Sequence, residues 1–348
     1  MALGTATTPD TIVTLTGAFK NAGDYLIGHR ARALLAAHLP GTQIIDINRR
    51  EVTDSHYELF NNARAVLLTG GPAYQEKIFP GVYNLDLSRI TAPVLPYGLG
   101  WKGKLGQEPE AFNFTPEAQE FVTQAHHDKT RFSSARDHLT VRMLKANGIE
   151  NVAMTGCPAW YDETKLSHDY SFNANPKRIV LSMPAVPQAQ IPKIMAHLAK
   201  AFPKAQRYLS FQAGYASTHS KKGAEYTRWN RQMALRGLLH GFRPIEFAGN
   251  FPKFEAFMQT VDFHVGYRVH SHIFSLSQRK TSILIAEDSR GVGQVAAMGG
   301  TALSAHDNPA LITAAIDQLW ATEGAAIQAA VETMRLTHGE MLRFLHQL

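Results

Sequence analysis

The chain has 348 residues, of which 45% are hydrophobic and 18% charged, with a net charge of +6. This composition excludes a disordered chain, and the length exceeds what one hydrophobic core usually organises, so two domains are expected. A single cysteine, Cys157, excludes both an internal disulfide framework and the CxxC spacings of structural zinc sites.

Short β-rich runs alternate with helical segments along the chain. The first strand is read over 11–15 and ends in Gly17-Ala18-Phe19-Lys20-Asn21-Ala22-Gly23-Asp24. Glycines in a strand-to-helix turn admit backbone N–H groups to a ligand, and a helix N-terminus favours anions. Asp24 has two readings, as the N-cap of the next helix or as a carboxylate at a cleft mouth. That helix carries Leu26, Ile27, Ala31, Leu34 and Leu35 at helical spacing and stops at Pro40-Gly41. Strands follow over 43–47, 64–69 and 93–97. The third ends in Thr69-Gly70-Gly71-Pro72, where Gly70 and Gly71 form a tight turn or allow close backbone approach to a ligand. The fourth runs into Pro96–Gly103, where Trp101 either packs or stacks on a sugar.

A strand over 131–134 leads to Ser134-Ala135-Arg136-Asp137. Asp137 caps a helix, and Arg136 can meet a carboxylate or phosphate with two parallel N–H bonds. A further strand is read over 151–155. The polar stretch 160–177 is read as the domain boundary. Beyond it, strands are expected over 178–182, 207–211, 244–247, 261–265 and 282–286, with helices over 191–201 and 232–240. Gly266-Tyr267-Arg268-Val269-His270-Ser271-His272 follows one of these strands. There Arg268 can bind an anion, and His270, with an ordinary pKa near 6.5, can hand over a proton close to neutral pH. His272 is read as structural. Glu287-Asp288-Ser289-Arg290 follows the last strong strand, where Glu287 or Asp288 could hold a hydroxyl and Arg290 a negative group. Asn308-Pro309 starts a helical C-terminus. Strand–helix alternation throughout argues a doubly wound α/β protein.

Basic residues are scattered, with short runs such as Arg49-Arg50 and Lys221-Lys222, which favours small anionic ligands over nucleic acid. The 16 histidines show no metal-ligand spacing, so no metal is expected, and the pair His126-His127 is read as surface. No run looks long and apolar enough to cross a bilayer, and the N-terminus does not read as a secretory signal. A cytoplasmic, soluble protein is therefore expected, with a charge compatible with peripheral membrane contact.

Taken in order, NAGD (Asn21–Asp24), LTGGP (Leu68–Pro72), LPYGLG (Leu95–Gly100), SARD (Ser134–Asp137), TGCPAW (Thr155–Trp160), GYRVHSHIFSLS (Gly266–Ser277) and EDSRGVGQ (Glu287–Gln294) resemble the polysaccharide pyruvyl transferase family. The resemblance implies two Rossmann-like domains facing across a cleft, in the GT-B manner. The N-terminal domain would span 1–165 on the acceptor side and the C-terminal domain 166–305 on the donor side, followed by a helical segment 306–348. It implies transfer of a pyruvyl group from phosphoenolpyruvate to a sugar of a surface polysaccharide or its precursor, giving a pyruvate ketal without any cofactor. The acceptor would be a sugar or glycan, lipid-linked or free. The family pattern maps anion binding onto Arg136 and Arg268, backbone contact onto Val269, and proton handling onto His270. The loop holding Asn21 and Asp24 falls on the acceptor side. TGCPAW lacks the acidic residue often found in the family's equivalent segment, so Cys157 receives no role. Two other readings remain at this point. One is a GT-B glycosyltransferase, with Glu287 or Asp288 on a ribose and Arg268 on a pyrophosphate. The other is a non-catalytic glycan- or anion-binding protein of the same fold.

Overall fold

The structure is a computed structural model that describes residues 10–348 except 80, 218 and 220. In the first half, β1 (Thr11–Thr16), β2 (Gln43–Asn48), β3 (Ala65–Thr69) and β4 (Val94–Tyr97) form a parallel sheet in the order β2-β1-β3-β4. β5 (Ser133–Ala135) and β6 (Val152–Met154) pair in parallel beside it, joined through a bridge between Leu99 and Ala135. The helices of this half are α1 (Ala22–His38), α2 (His56–Asn62), α3 (Pro116–Ala125), α4 (His138–Ala146) and the short α5 (Glu163–Leu166). Every residue of β1 and β3 is buried, as a central strand covered on both faces requires, whereas edge strand β2 is partly exposed along its length.

In the second half, β7 (Arg178–Ser182), β8 (Gln206–Phe211), β9 (Phe242–Glu246), β10 (Phe263–Gly266), β11 (Thr281–Ala286) and β12 (Leu303–Ser304) form a parallel sheet in the order β12-β11-β10-β7-β8-β9. α6 (Ile191–Ala201), α7 (Gly223–Leu239), α8 (Phe251–Gln259), α9 (Val269–Ser277) and α10 (Ser289–Ala297) alternate with these strands, and α11 (Pro309–Ala321) and α12 (Ala325–His346) complete the chain. The expected strands are found within two residues at each end. The two-residue β12 was too short to leave a pattern.

Each sheet reverses its strand order once, at β1/β3 and at β7/β10, and open α/β sheets bind ligands outside the strand carboxyl ends at such points. The halves are stitched on one flank. Gln294 of α10 accepts from the Trp160 indole (2.7 Å) and donates to the Arg136 carbonyl (3.0 Å). The Gly103 N–H donates to Ser289 Oγ at 2.6 Å. Arg30 of α1 and Gln278 after α9 both bond Asp162 Oδ2 at 2.6 Å. Trp160 and Tyr161 are therefore core residues; the exposed polar stretch begins only after Leu166. α12 begins against the second half, where Ile327 and Ala330 are buried. It ends on the first half, where Phe344 stacks on Tyr97 and Gln347 bonds the Phe132 backbone on both sides.

Candidate active site

Four strand ends converge between the sheets. One small cavity, of about 40 Å³, is lined by Asn21 and Asp24 after β1, Arg136 after β5, Arg268, Val269 and His270 after β10, and Glu287, Asp288 and Arg290 after β11. Asp24, Pro72 and Arg290 also line a neighbouring cavity of about 150 Å³ that includes Gly70 and Gly71. The sequence-derived candidates thus meet across the cleft, with one exception.

Trp101 is that exception. Its ring is buried and meets Phe112 edge-on, with centroids 5.6 Å apart, so it presents no face to a sugar. Only its carbonyl reaches toward the site, accepting from Arg136 Nη2 at 3.3 Å. The Pro96–Gly103 turn places the indole inward because Phe112 offers it an apolar neighbour.

Asn21, not Asp24, caps α1. Its side chain accepts from the Gly23 N–H (3.2 Å) and donates to Asp24 Oδ1 (3.2 Å). Asp24 is thereby left in the first turn with its carboxylate 3.4 Å from His270 Nδ1. Burial raises the Asp24 carboxyl above its ordinary range, against the opposing pull of Arg290, Arg49 and Arg268. The close approach of α1 to α9 depends on Gly23, where an added Cβ would lie 2.6 Å from His270 Cβ.

Arg268 occupies the N-cap of α9, so the first N–H groups of that helix, at Val269 and His270, open toward the cavity without intrahelical acceptors. A buried polar chain fixes this helix start. The Arg268 N–H donates to Ser182 Oγ (3.1 Å), Ser182 Oγ bonds His264 Nε2 (2.8 Å), and His264 Nδ1 and His272 Nδ1 each bond Ser282 Oγ (2.8 Å). His272 is structural, as read. His264, which the sequence did not single out, shares that work. Gly266 allows the turn because its φ is +137° and a Cβ there would strike the Ser182 carbonyl at 2.4 Å.

The electrostatics differ from expectation at His270. Burial first, then Arg136 and Arg290, pull its imidazole down to about 3. It is neutral near pH 7 rather than poised to donate, because two guanidinium groups and a dry environment oppose a further positive charge. Arg136 is itself buried, with Nε 3.2 Å from Asp137 Oδ2. Asp137 caps α4 by accepting from the Thr140 N–H at 2.7 Å, as read. Arg290 is held by Asp288 in a two-pronged pair at 2.6–2.9 Å, and Asp288 also caps α10. Glu287 accepts from the Ala185 and Val186 N–H groups (2.9–3.4 Å), and burial raises its carboxyl.

Several lining residues were missed. Gln212 after β8 and Tyr267 line the smaller cavity, and Arg49, Gln75 and Lys102 the larger. The pair His126-His127 is not all surface, since His126 is buried against the Tyr74 hydroxyl at 2.9 Å and burial drops its imidazole to about 3. Away from the cleft, His38, His338 and Glu163 place their ligand atoms within 4.8 Å of one another, a grouping of residues too far apart in sequence to read as a motif. His38 lies fourteen residues along α1 from Asp24, about 21 Å at the helical rise, so this cluster does not line the site. No helix among the described residues is long and apolar enough to cross a membrane.

A family model described as polysaccharide pyruvyl transferase matches residues 21–289, which takes in every residue named above as lining the smaller cavity except Arg290. No curated protein is significantly similar to the chain in sequence. Among solved structures, a putative UDP-N-acetylglucosamine 2-epimerase from Listeria monocytogenes is similar, with 11% identity and a TM-score of 0.55 over 92% of this chain and 91% of that one. UDP-GlcNAc 2-epimerase from Neisseria meningitidis, bound to UDP-GlcNAc, gives 12% and 0.55 over 97% and 100%. The S. aureus MnaA–UDP structure gives 15% and 0.51 over 92% and 91%. At such identities these likenesses speak to fold alone, and that fold is GT-B.

Proposed function

Because the chain belongs to the polysaccharide pyruvyl transferase family, we propose that it moves a pyruvyl group from phosphoenolpyruvate to hydroxyls of a sugar in a polysaccharide or its precursor, forming a ketal. The observation that carries this reading is that Arg136 of the first half and Arg268 and His270 of the second line one cavity together with Asp24. Phosphoenolpyruvate bears a phosphate and a carboxylate, and two guanidinium groups with the open N-terminus of α9 match that pair of anions.

In this scheme the donor's negative charge, set between Arg136 and Arg290, offsets the two effects that keep His270 neutral, and the histidine takes up a proton as the donor binds. His270 then protonates the methylene carbon of the enol, while Asp24 steadies the imidazolium through Nδ1. Positive charge develops at the adjacent carbon, a sugar hydroxyl attacks it, and the C–O bond to phosphate breaks. A second hydroxyl of the same sugar closes the ketal. Of the two hydroxyl protons released, one restores His270 and the other leaves with phosphate. In this scheme Asp24 relays a hydroxyl proton, a role supported by its position on the wall shared by the two cavities.

The test measures phosphate release from phosphoenolpyruvate across a panel of sugar acceptors, alongside protection against heat by phosphoenolpyruvate or by nucleotide sugars. Phosphoenolpyruvate should protect, and His270→Ala should lower turnover by about 10²- to 10⁴-fold while the variant stays folded. Protection by nucleotide sugars alone would replace this reading with a glycosyltransferase. Full activity in His270→Ala would remove its assigned role.

A further inference from the structure

The larger cavity contains a buried cation that the donor scheme does not use. Arg49 follows β2 and is held there by its backbone, whose N–H donates to the Thr16 carbonyl (2.8 Å) and whose carbonyl accepts from Asn84 (2.9 Å). The residue is 5% exposed. Its guanidinium lies over the Tyr83 ring, 5.0 Å from the centroid, and Nη1 makes one long bond to the Gly70 carbonyl at 3.5 Å. Nε is buried with no hydrogen-bond partner, and no ion pair joins Arg49 to a carboxylate among the described residues. Arg290 in the same cavity is paired with Asp288, whereas Arg49 has no such pair and feels Asp24 only at longer range. A buried guanidinium with five N–H donors and one weak acceptor is costly unless an anion completes it.

The surroundings are shaped for such a partner. Gly17 lets the guanidinium lie flat on the backbone, since a Cβ there would sit 2.5 Å from Cζ and Nε. Arg50 and Lys102 add positive charge to the lining, and Asp24 is the one acidic residue of that lining.

We propose that the Arg49 cavity is an acceptor subsite that binds a phosphoryl group esterified to the acceptor sugar. Placing this on the acceptor side rests on the pyruvyl transfer reading above; the anion site itself does not. The arrangement is directional. The phosphoryl group anchors at Arg49, and the sugar's free hydroxyls extend toward Asp24 on the wall shared with the donor cavity. A glycosyl diphosphate carried on a lipid and one carried on a nucleoside present the same group to Arg49.

The experiment follows heat protection of the full chain by inorganic pyrophosphate, phosphoenolpyruvate, UDP and farnesyl diphosphate, at one fixed low salt concentration, in wild type, Arg49→Gln, Arg49→Lys and Arg268→Gln. Pyrophosphate should bind wild type and Arg268→Gln. Its affinity should fall by about 10- to 100-fold in Arg49→Gln and by less in Arg49→Lys, whose charge remains without the planar fork. Phosphoenolpyruvate protection should survive the Arg49 substitutions and be lost in Arg268→Gln. If Arg49→Gln does not fold, wild type saturated with phosphoenolpyruvate must still take up pyrophosphate at a second site. Mutually exclusive binding of the two, or a pyrophosphate affinity indifferent to both Arg49 variants, overturns the proposal. If phosphoenolpyruvate never binds but pyrophosphate does so through Arg49, the anion subsite stands and the donor reading falls. Tighter binding of farnesyl diphosphate than of UDP assigns the phosphate to a lipid carrier, and the reverse order to a nucleoside.

Discussion

Replacing Gly23 by alanine tests whether the contact between α1 and α9 sets the geometry of the site. The new Cβ would lie 2.6 Å from His270 Cβ and 3.0 Å from Nδ1. His270 Cβ is fixed to the backbone of α9 and cannot rotate away, so ordinary contact at 3.4 Å requires the helices to part by about 0.8 Å (3.4 minus 2.6). Overpacking of this kind costs about 1–3 kcal/mol, and alanine in a helix returns up to about 1 kcal/mol, so the net loss of stability is roughly 0–3 kcal/mol. The effect on function should be larger. Asp24 and His270 sit 3.4 Å apart, and a displacement near 1 Å between reacting groups can lower the rate by about 10²-fold. Gly339→Ala is the control, because a Cβ in that part of α12 meets nothing within 4 Å and should stabilise by roughly 0.5–1 kcal/mol. Urea denaturation and phosphate release measured on both variants give the comparison. A Gly23→Ala protein matching wild type in stability and in kcat/KM would refute the argument.

Acid should destabilise the fold steeply. His126, His270 and His272 are drawn down to about 3, and His264 well below its ordinary value, all chiefly by burial. The unfolded chain then binds protons that the folded one refuses. Stability is therefore intact above about pH 6.5 and falls as pH drops toward 3, by roughly 1 kcal/mol per pH unit for each histidine. Urea midpoints at pH 7.5, 6.5 and 5.5 measure this, and equal midpoints would contradict it. Cys157 is buried, and burial pushes its thiol up to about 11. It should resist a disulfide reagent at pH 8 in the native protein and react once per chain in urea. Rapid labelling of the folded protein would show that the segment opens.

The fold was legible where burial makes its own pattern. Central strands such as β3 are covered on both faces and read as apolar runs, and residues singled out just beyond strands, Arg136, Arg268 and His270 among them, line one cavity. Asp24 was harder, because Asn21 three residues earlier competes for the cap and two short polar side chains look alike in sequence. His126 was misplaced because α3 went unrecognised, although Thr115-Pro116 is a capping signal whose threonine accepts from the Ala118 N–H. Trp101 shows the limit of reading a turn, since its direction depends on Phe112, which no local pattern reveals. Arg49 carried a usable signal, an arginine at a strand's carboxyl end, but its burial over Tyr83 is a property of packing between distant segments. The neutrality of His270 likewise follows from burial between the lobes and from Arg136, more than a hundred residues away in sequence, as well as from the nearer Arg290.

The last helix straddles both sheets, so the chain passes between the lobes twice, once through 167–177 and once along α12. A body joined by two such crossings on one side can swing but is poorly able to slide. Widening the mouth then leaves the far seam almost still, and every residue of the cleft moves in proportion to its distance from that seam. Arg136, whose carbonyl is tied to Gln294, and α1, whose Arg30 meets Asp162 beside Gln278, both belong to that seam, so the cleft is braced where its guanidinium groups and Asp24 come together.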